Sequence, residues 1–468
     1  MKLLTSKKLL ALPINHSIPR WQTLLKNILK VSLPAAMELL FITLIGMADT
    51  IMVGNYSNAS ITSEASLASV ALSQQPIFIT IAIASALGVG LTSIISRRKG
   101  ENRSDEARLY LRQSIMVGFL IGLGMTLFAV FFARPILQFA GAKDDTIDNA
   151  VLYFRIVSSI ISLNYVRYTI SSAQRAIGKT NITLIMNIVA NLVNIFFNYV
   201  LIYGNLSFPE LGIGGAAIAT VIGNSVAFII AFISIFNKKS FIYIRFRDRW
   251  RLDPATIQYM FKVSTPAIIE QIFMRIGFFI ISKIVNDLGT EQTAINAIII
   301  SVVSTSFSVT DGFAIGASSL VGRSLGEKDP AKAFAYGRMS QILSVGLAGG
   351  LMIVVISTRN ILPTFFSTNE SIYGEASRLL TYTSLVMLPQ SIQWVTTGIL
   401  RGAGDIKYTA RNSIISVTLV RPFFAYILCY PLGLGILGSW IGMFIDQSLR
   451  TVLNNTRFIH LKWMKIQI

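Results

Sequence analysis

The sequence predicts an all-α membrane protein, with twelve transmembrane helices in two pseudo-symmetric six-helix lobes. Three observations lead there. Of 468 residues, 53% are hydrophobic and only 13% are charged, against about 25% charged in soluble domains. The apolar residues fall in runs long enough to cross a bilayer, for which about 20 residues suffice. The chain also repeats itself at an offset near 230 residues. Lys30-Val-Ser-x-Pro34-Ala-x-x-Glu38 returns as Lys262-Val-Ser-x-Pro266-Ala-x-x-Glu270, and Phe196-Phe-Asn-Tyr-Val-Leu201 as Phe423-Phe-Ala-Tyr-Ile-Leu428.

The twelve spans are 31–53, 66–95, 112–133, 150–172, 182–203, 213–236, 260–285, 294–320, 338–357, 377–398, 412–430 and 433–454. Six per repeat is an even number, so both repeats enter the membrane in the same direction, a known transporter plan. The expected domains are lobes 1–236 and 255–468, joined by the basic linker 237–254. The net charge of +19 does not form a nucleic-acid patch. Lys and Arg gather in the tails and in every second loop, as at Arg97/Arg98/Lys99, Arg175/Lys179 and Lys238/Lys239. The loops between hold few, among them Arg134, Lys143 and Arg359. That bias places both termini in the cytoplasm. The single cysteine, Cys429, forms no internal disulfide, and His16 and His460 lie in the tails. Leu9–Ile14 is too short for a signal sequence, so no cleaved leader is expected.

Span 1 is the chemically exceptional stretch. It carries Glu38 and Asp49, eleven residues apart, hence on one helical face and about 16 Å apart. A charge in a span costs at least ~2.5–3.5 kcal/mol, which marks that face as the wall of a polar cavity. Asp49 has no acidic repeat mate: Ile281 stands in its place, Arg421 stands opposite Asn194, and Ala425 opposite Asn198. Asn194 and Asn198 share a face of span 5, and Thr220 lies on span 6 at a similar depth. A carboxylate, two amides, a hydroxyl and a backbone carbonyl (Asp49, Asn194, Asn198, Thr220 and Ala216) would suit Na⁺. The same carboxylate takes H⁺ if desolvation raises its affinity for it. The alternative is that Asp49 is interhelical glue for the asparagines.

Glu38 and Glu270 either face the cavity or bond backbone freed by the nearby prolines. Arg275, Arg421 and Asp311 are expected to pair with one another or with Glu270. Arg155 and Arg167 are expected to snorkel or to neutralise a carboxylate. Gly212-Ile-Gly-Gly-Ala-Ala follows no strand, so it reads as small-residue helix packing rather than a dinucleotide loop.

These motifs resemble those of the multidrug and toxin extrusion (MATE) family of the MOP flippase superfamily. The resemblance runs from about Lys30 through span 12. It rests on Pro34-Ala-Ala-Met-Glu38, Met47-Ala-Asp49-Thr-Ile-Met-Val-Gly54, Arg175-Ala-Ile-Gly-Lys-Thr-Asn181, Asn194-x-x-x-Asn198, Leu211-Gly-Ile-Gly-Gly-Ala-Ala-Ile-Ala-Thr220 and Gly398-Ile-Leu-Arg-Gly402. It implies two six-helix bundles and cation-coupled export of organic cations. It further implies that Asp49 binds the coupling H⁺ or Na⁺ with Asn194, Asn198 and Thr220. Many relatives have aspartate where this chain has Asn198, and one branch has acids near Met274 and Gln390; here none of the three is acidic.

The expected function is therefore a secondary-active multidrug antiporter in the cell membrane, exporting amphipathic, cationic compounds. It needs no cofactor beyond the coupling ion, binds no nucleic acid, and is expected as a monomer. Met37, Phe41 and Phe78, with Glu38, Glu270, Met274 and Gln390, are candidate substrate-cavity residues, since Met and aromatic surfaces adapt to varied ligands. A lipid-linked precursor flippase is the alternative, and would want more cavity arginines than Arg167, Arg275 and Arg421. An enzyme would need a nucleophile–base pair or a metal cluster in the spans, and neither is visible. A receptor or scaffold has no need of an asymmetric carboxylate.

Overall fold

The computed structural model describes residues 19–54, 56, 63–142, 146–245, 247, 248, 250–366 and 369–466; the side chains of 44, 45, 47–51, 54, 63–65 and 67 are not described. All regular structure among the described residues is helical. The first repeat gives α1 (Trp21–Gly54), α2 (Ser63–Gly100), α3 (Ser104–Phe131), a short α4 (Ala133–Phe139), α5 (Ile147–Ser158), α6 (Ile161–Ala176), α7 (Thr180–Tyr203) and α8 (Gly212–Ser234). The second gives α9 (Pro254–Asp287), α10 (Thr290–Gly326), α11 (Pro330–Ser357), α12 (Glu370–Thr383), α13 (Met387–Gly402), α14 (Ile406–Ile415), α15 (Arg421–Cys429) and α16 (Gly435–Ile459). Each of the twelve sequence spans falls on one helix or one broken helix. Among the described residues, seven helices are long and apolar enough to cross a membrane unaided, and the bent pair α5–α6 makes an eighth.

Three spans are interrupted where the sequence reading drew them straight. The α5–α6 span bends by 48°. A 3₁₀ turn, Ser384–Val386, separates α12 from α13. Pro389, three residues after that turn, has no N–H for the carbonyl four residues back. A π-helical turn, Ser416–Val420, joins α14 to α15 just before Arg421-Pro422. Prolines 34, 76 and 266 by contrast lie inside unbroken α1, α2 and α9. Outside the spans, ends are fixed by ordinary capping. Asp329 accepts from Lys332 N–H at 2.9 Å ahead of Pro330 at the start of α11, and Asn369 accepts from Ser371 N–H ahead of α12.

The chain forms two compact units. Unit 1 comprises Met1–Leu39, Thr92–Asn102 and Thr265–Ile468; unit 2 comprises Leu40–Leu91 and Arg103–Ser264. Within unit 1, Leu24, Ile28 and Val31 of α1 are buried in one core with Phe313 and Leu320 of α10 and Ile399 of α13. The approach is close: a Cβ on Gly316 would collide with Ser32 Oγ, and one on Gly312 with Ala36. Small residues at a crossing let helix backbones meet. Unit 2 repeats the device with the repeats exchanged, since a Cβ on Gly90 would collide with Ser264 Oγ of α9. Each unit thus takes the N-terminal half of its first helix from the other repeat.

The basic segment 237–254 is bolted to α3 within unit 2. Gln113 Nε2 donates to Arg251 O at 2.7 Å, Asp253 N–H donates to Gln113 Oε1 at 3.1 Å, and Arg108 lies 3.8 Å over the Tyr243 ring. The Thr256 hydroxyl and N–H donate to Asp253, which holds that carboxyl below its ordinary range.

Candidate functional site

The candidate cation site lies within unit 2 and is built by the antiparallel contact of α7 and α8. Glycines set its closeness. A Cβ at Gly215 would strike Leu201 O, and one at Gly223 would lie 2.8 Å from Ala190 O and 2.9 Å from Asn194 Cβ. Ala216 and Thr220 lie on α8 between these two touching points. Asn194 is 6% exposed and Asn198 2%. Asn198 Nδ2 donates to Asn194 Oδ1 at 3.4 Å, and Thr220 Oγ1 donates to Ala216 O at 2.9 Å. The i, i+4 spacing of the asparagines makes the first contact possible on one helix face. Asn224 Nδ2 donates to Thr220 O at 2.9 Å, adding an amide to the same row.

The end of α1 is fixed against these helices. Tyr203 Oη, at the last residue of α7, donates to Met52 O at 2.7 Å. Tyr56 Oη donates to Glu210 Oε1 at 3.0 Å in the α7–α8 connection. Val53 and Tyr56 are buried in one cluster with Ile202, Ile213, Ala216 and Ala217. Asp49 stands on α1 three residues before Met52; its side chain lies outside the described residues. The backbone thus carries the carboxylate-bearing turn to the helix pair that presents the amides and the hydroxyl, all of them hard oxygen donors or hydrogen-bond partners of a carboxylate.

Since the closeness of α7 and α8 rests on single hydrogen atoms, Gly215→Val is expected to separate the helices. It should lower the unfolding temperature and cost most of the transport activity. Gly124→Ala is the control, as its Cβ meets nothing within 4 Å. Thermal unfolding and substrate efflux of the two variants side by side check this.

The candidate cavity residues divide. Met37 and Phe78 are exposed apolar side chains at 41% and 42%, and Phe41 and Met274 are half-buried. Glu38, Glu270 and Gln390 are buried. Glu270 does not pair with Arg275 or Arg421. Its Oε2 accepts from Arg401 Nη2 at 2.7 Å, so the Arg of Gly398-Ile-Leu-Arg-Gly402 is its partner. Gln390 Nε2 and Oε1 have no hydrogen-bond partner among the described residues. Arg167 neither snorkels nor meets a carboxylate in the described bonds. Its Nε donates to Asn164 Oδ1 and its Nη1 to Asn187 Oδ1, at 3.3 and 3.4 Å.

The sequence reading missed one charged pair. Asp446 and Arg450 on α16 are buried, at 0% and 4% exposure, and joined by two bonds of 3.0 and 2.7 Å. Arg421 lies within electrostatic reach of both. The signal was available, because an acid and a base four residues apart in an apolar span pair on one helix face.

The MatE family model matches residues 34–200 and 266–427. The chain is 26% identical to the uncharacterized transporter YisQ of Bacillus subtilis, over 94% of this chain and 95% of that one. It is equally 26% identical to the probable multidrug resistance protein NorM of Thermotoga maritima, over 94% and 93%. Among solved structures, an outward-facing multidrug resistance MATE transporter of the MOP superfamily superposes with a TM-score of 0.86. That match has 21% identity and covers 96% of this chain and all of the other. A MOP superfamily transporter from Pyrococcus furiosus, described as having a binding pocket of reverse polarity, gives a TM-score of 0.86 at 20% identity, covering 97% and 100%.

Proposed function

The chain belongs to the MatE family of multi-pass membrane transporters, and on that premise we propose that it is a secondary-active antiporter. It exports amphipathic, cationic organic compounds in exchange for inward H⁺ or Na⁺, with Asp49, Asn194, Asn198, Thr220 and Ala216 as the cation site. The observation that carries this is the row of buried Asn194 and Asn198 and half-buried Thr220 on two helices pressed together at glycine, with the end of α1, at Met52, bonded to the same helix pair. Packing alone gives no reason for two amides and a hydroxyl on the most closely apposed helix faces. A coupling ion does. Phe41 and Phe78 in unit 2, and Met37 and Met274 in unit 1, offer adaptable apolar surface to a substrate, whereas Glu38, Glu270 and Gln390 are buried within unit 1. The flippase alternative is disfavoured by its arginines: Arg167 is held by two asparagines, and Arg421 is within electrostatic reach of Asp446.

The relatives named for multidrug resistance support the substrate class. Transport in proteoliposomes under separately imposed H⁺ and Na⁺ gradients tests it. Uptake of an organic cation driven by one of the two gradients is expected, and uptake indifferent to both would sink the reading.

The protein acts as a monomer of the cell membrane, with both termini and the 237–254 segment in the cytoplasm, as the placement of Lys and Arg supports. Lys239→Cys and Ser207→Cys test the orientation, both being exposed positions on segments that flank α8. An impermeant maleimide applied to whole cells is expected to label the variant at 207 and spare the variant at 239. The opposite pattern inverts the topology.

A further inference from the structure

The interior of unit 1 holds more charge than its share of the mechanism explains, and the repeat shows what stands there. Leu211-Gly-Ile-Gly-Gly aligns with Leu434-Gly-Ile-Leu-Gly. The landmarks agree in three dimensions. Gly212 and Gly435 have φ of 55° and 53°. Gly215 abuts the end of the preceding helix at Leu201, and Gly438 abuts the corresponding end at Leu428, 2.7 Å from its carbonyl carbon to a built Cβ. Four residues on, Gly442 lies against Ala425 N and Arg421 O. One more turn brings Gly223 in the first repeat and Asp446 in the second.

Gly223 touches Asn194, and the repeat mate of Asn194 is Arg421. So where unit 2 has glycine against an asparagine, unit 1 has an acid within reach of an arginine. A further turn along, Ala227 is matched by Arg450, which binds Asp446 through both oxygens. The π turn explains how Arg421 reaches this place. Gly178 and Gly404, with φ of 77° and 93°, match at an offset of 226, whereas Phe196 and Phe423 match at 227. The second repeat has gained one residue in between, and Ser416–Val420 absorbs it. Ser416 Oγ donates to Asp446 O from that turn at 3.4 Å.

Thr451 donates to Pro389 O and Asn454 to Thr397 Oγ1, which sets α13 alongside. Gln390, Gln393 and Gln447 are buried on these same turns, and each has an amide oxygen with no partner among the described residues. Carboxylate and amide oxygens are cation ligands by chemistry.

We propose that unit 1 contains, at Asp446, a counterpart of the cation site that is permanently filled by the protein's own guanidinium groups, Arg421 and Arg450. Removing both arginines turns it into a site for a free monovalent cation, H⁺ or Na⁺. The tethered charges keep this repeat loaded at every stage of a transport cycle, so the proton or sodium gradient acts on one repeat alone. This rests on the reading of the unit 2 amide row as a cation site.

The test separates the two by working in an Asp49→Asn background and reading binding rather than transport. Thermal unfolding of the purified full-length protein is followed in NaCl against choline chloride, and at acid against neutral pH. The background variant is expected to respond to neither. R421N/R450A, which installs the residues of the first repeat, is expected to gain an unfolding-temperature rise with Na⁺ or with acid, and adding Asp446→Asn should abolish that rise. Equal responses with and without Asp446→Asn overturn the proposal, as does a response of the background variant itself that Asp446→Asn removes. Should the double variant not fold, Arg450→Ala alone is titrated with guanidinium chloride against choline chloride at low concentration. Stabilisation that depends on Asp446 supports the filled site, and its absence overturns it.

Discussion

Replacing Asp49 by asparagine is expected to abolish coupled export while leaving the protein folded and inserted. The change is nearly isosteric and keeps a side chain able to hydrogen-bond. If the carboxylate were only glue between helices, an amide would serve almost as well, since such bonds average about 0.6 kcal/mol. If it carries the coupling ion, the variant has no group to charge and discharge. One charge moving through 100 mV supplies about 2.3 kcal/mol, roughly a fiftyfold concentration ratio, and all of that should vanish. Substrate accumulation against a gradient, measured at matched expression, decides it. Normal efflux would remove Asp49 from the mechanism. Glu270→Gln is expected to be milder, because its partner Arg401 is part-exposed and can turn to water.

Asp446→Asn is expected to have the largest effect on stability. The carboxylate is fully buried, holds Arg450 by two bonds, and lies within reach of Arg421. Taking it away leaves the Arg450 guanidinium without its acid, and breaking a buried ion pair on one side costs about 3–5 kcal/mol. A marked fall in the temperature at which tryptophan fluorescence reports unfolding is expected. Adding Arg450→Met should recover part of the loss, since replacing a whole buried pair by apolar groups is often nearly neutral. An Asp446→Asn protein as stable as the parent would show that water, not protein, surrounds the pair.

Much of this was legible in the sequence, because a bilayer imposes a period, a length and a charge rule on every span. The twelve spans, the repeat and the row Asn194, Asn198 and Thr220 all follow from those constraints. What was not legible depends on tertiary partners. Glu270 meets Arg401, more than a hundred residues away, because α9 and α13 lie in one unit. The interruptions of α12–α13 and α14–α15 needed the prolines at 389 and 422 to be weighed against helix continuity, and the π turn needed the one-residue change of repeat offset to be noticed. The Asp446–Arg450 pair was the avoidable omission, since both residues stand in plain view within one apolar span.

The exchange of half-helices between repeats also bears on how the chain is made. Ser32 packs against Gly316, and Leu24, Ile28 and Val31 in a core with α10, α11, α13 and α16. At about 5–20 residues per second, a ribosome needs roughly a quarter of a minute to a minute to travel from Ser32 to Gly316. For that time the N-terminal half of the first helix to emerge lacks the second-repeat helices it packs against in unit 1. Unit 2 has no such wait, since its last piece, Pro254–Ser264, is synthesised directly after α8. The order in which the units are completed therefore differs from the order in which their first residues are made. The unit that ends first in sequence closes first, and the earliest residues made are among the last to find their places.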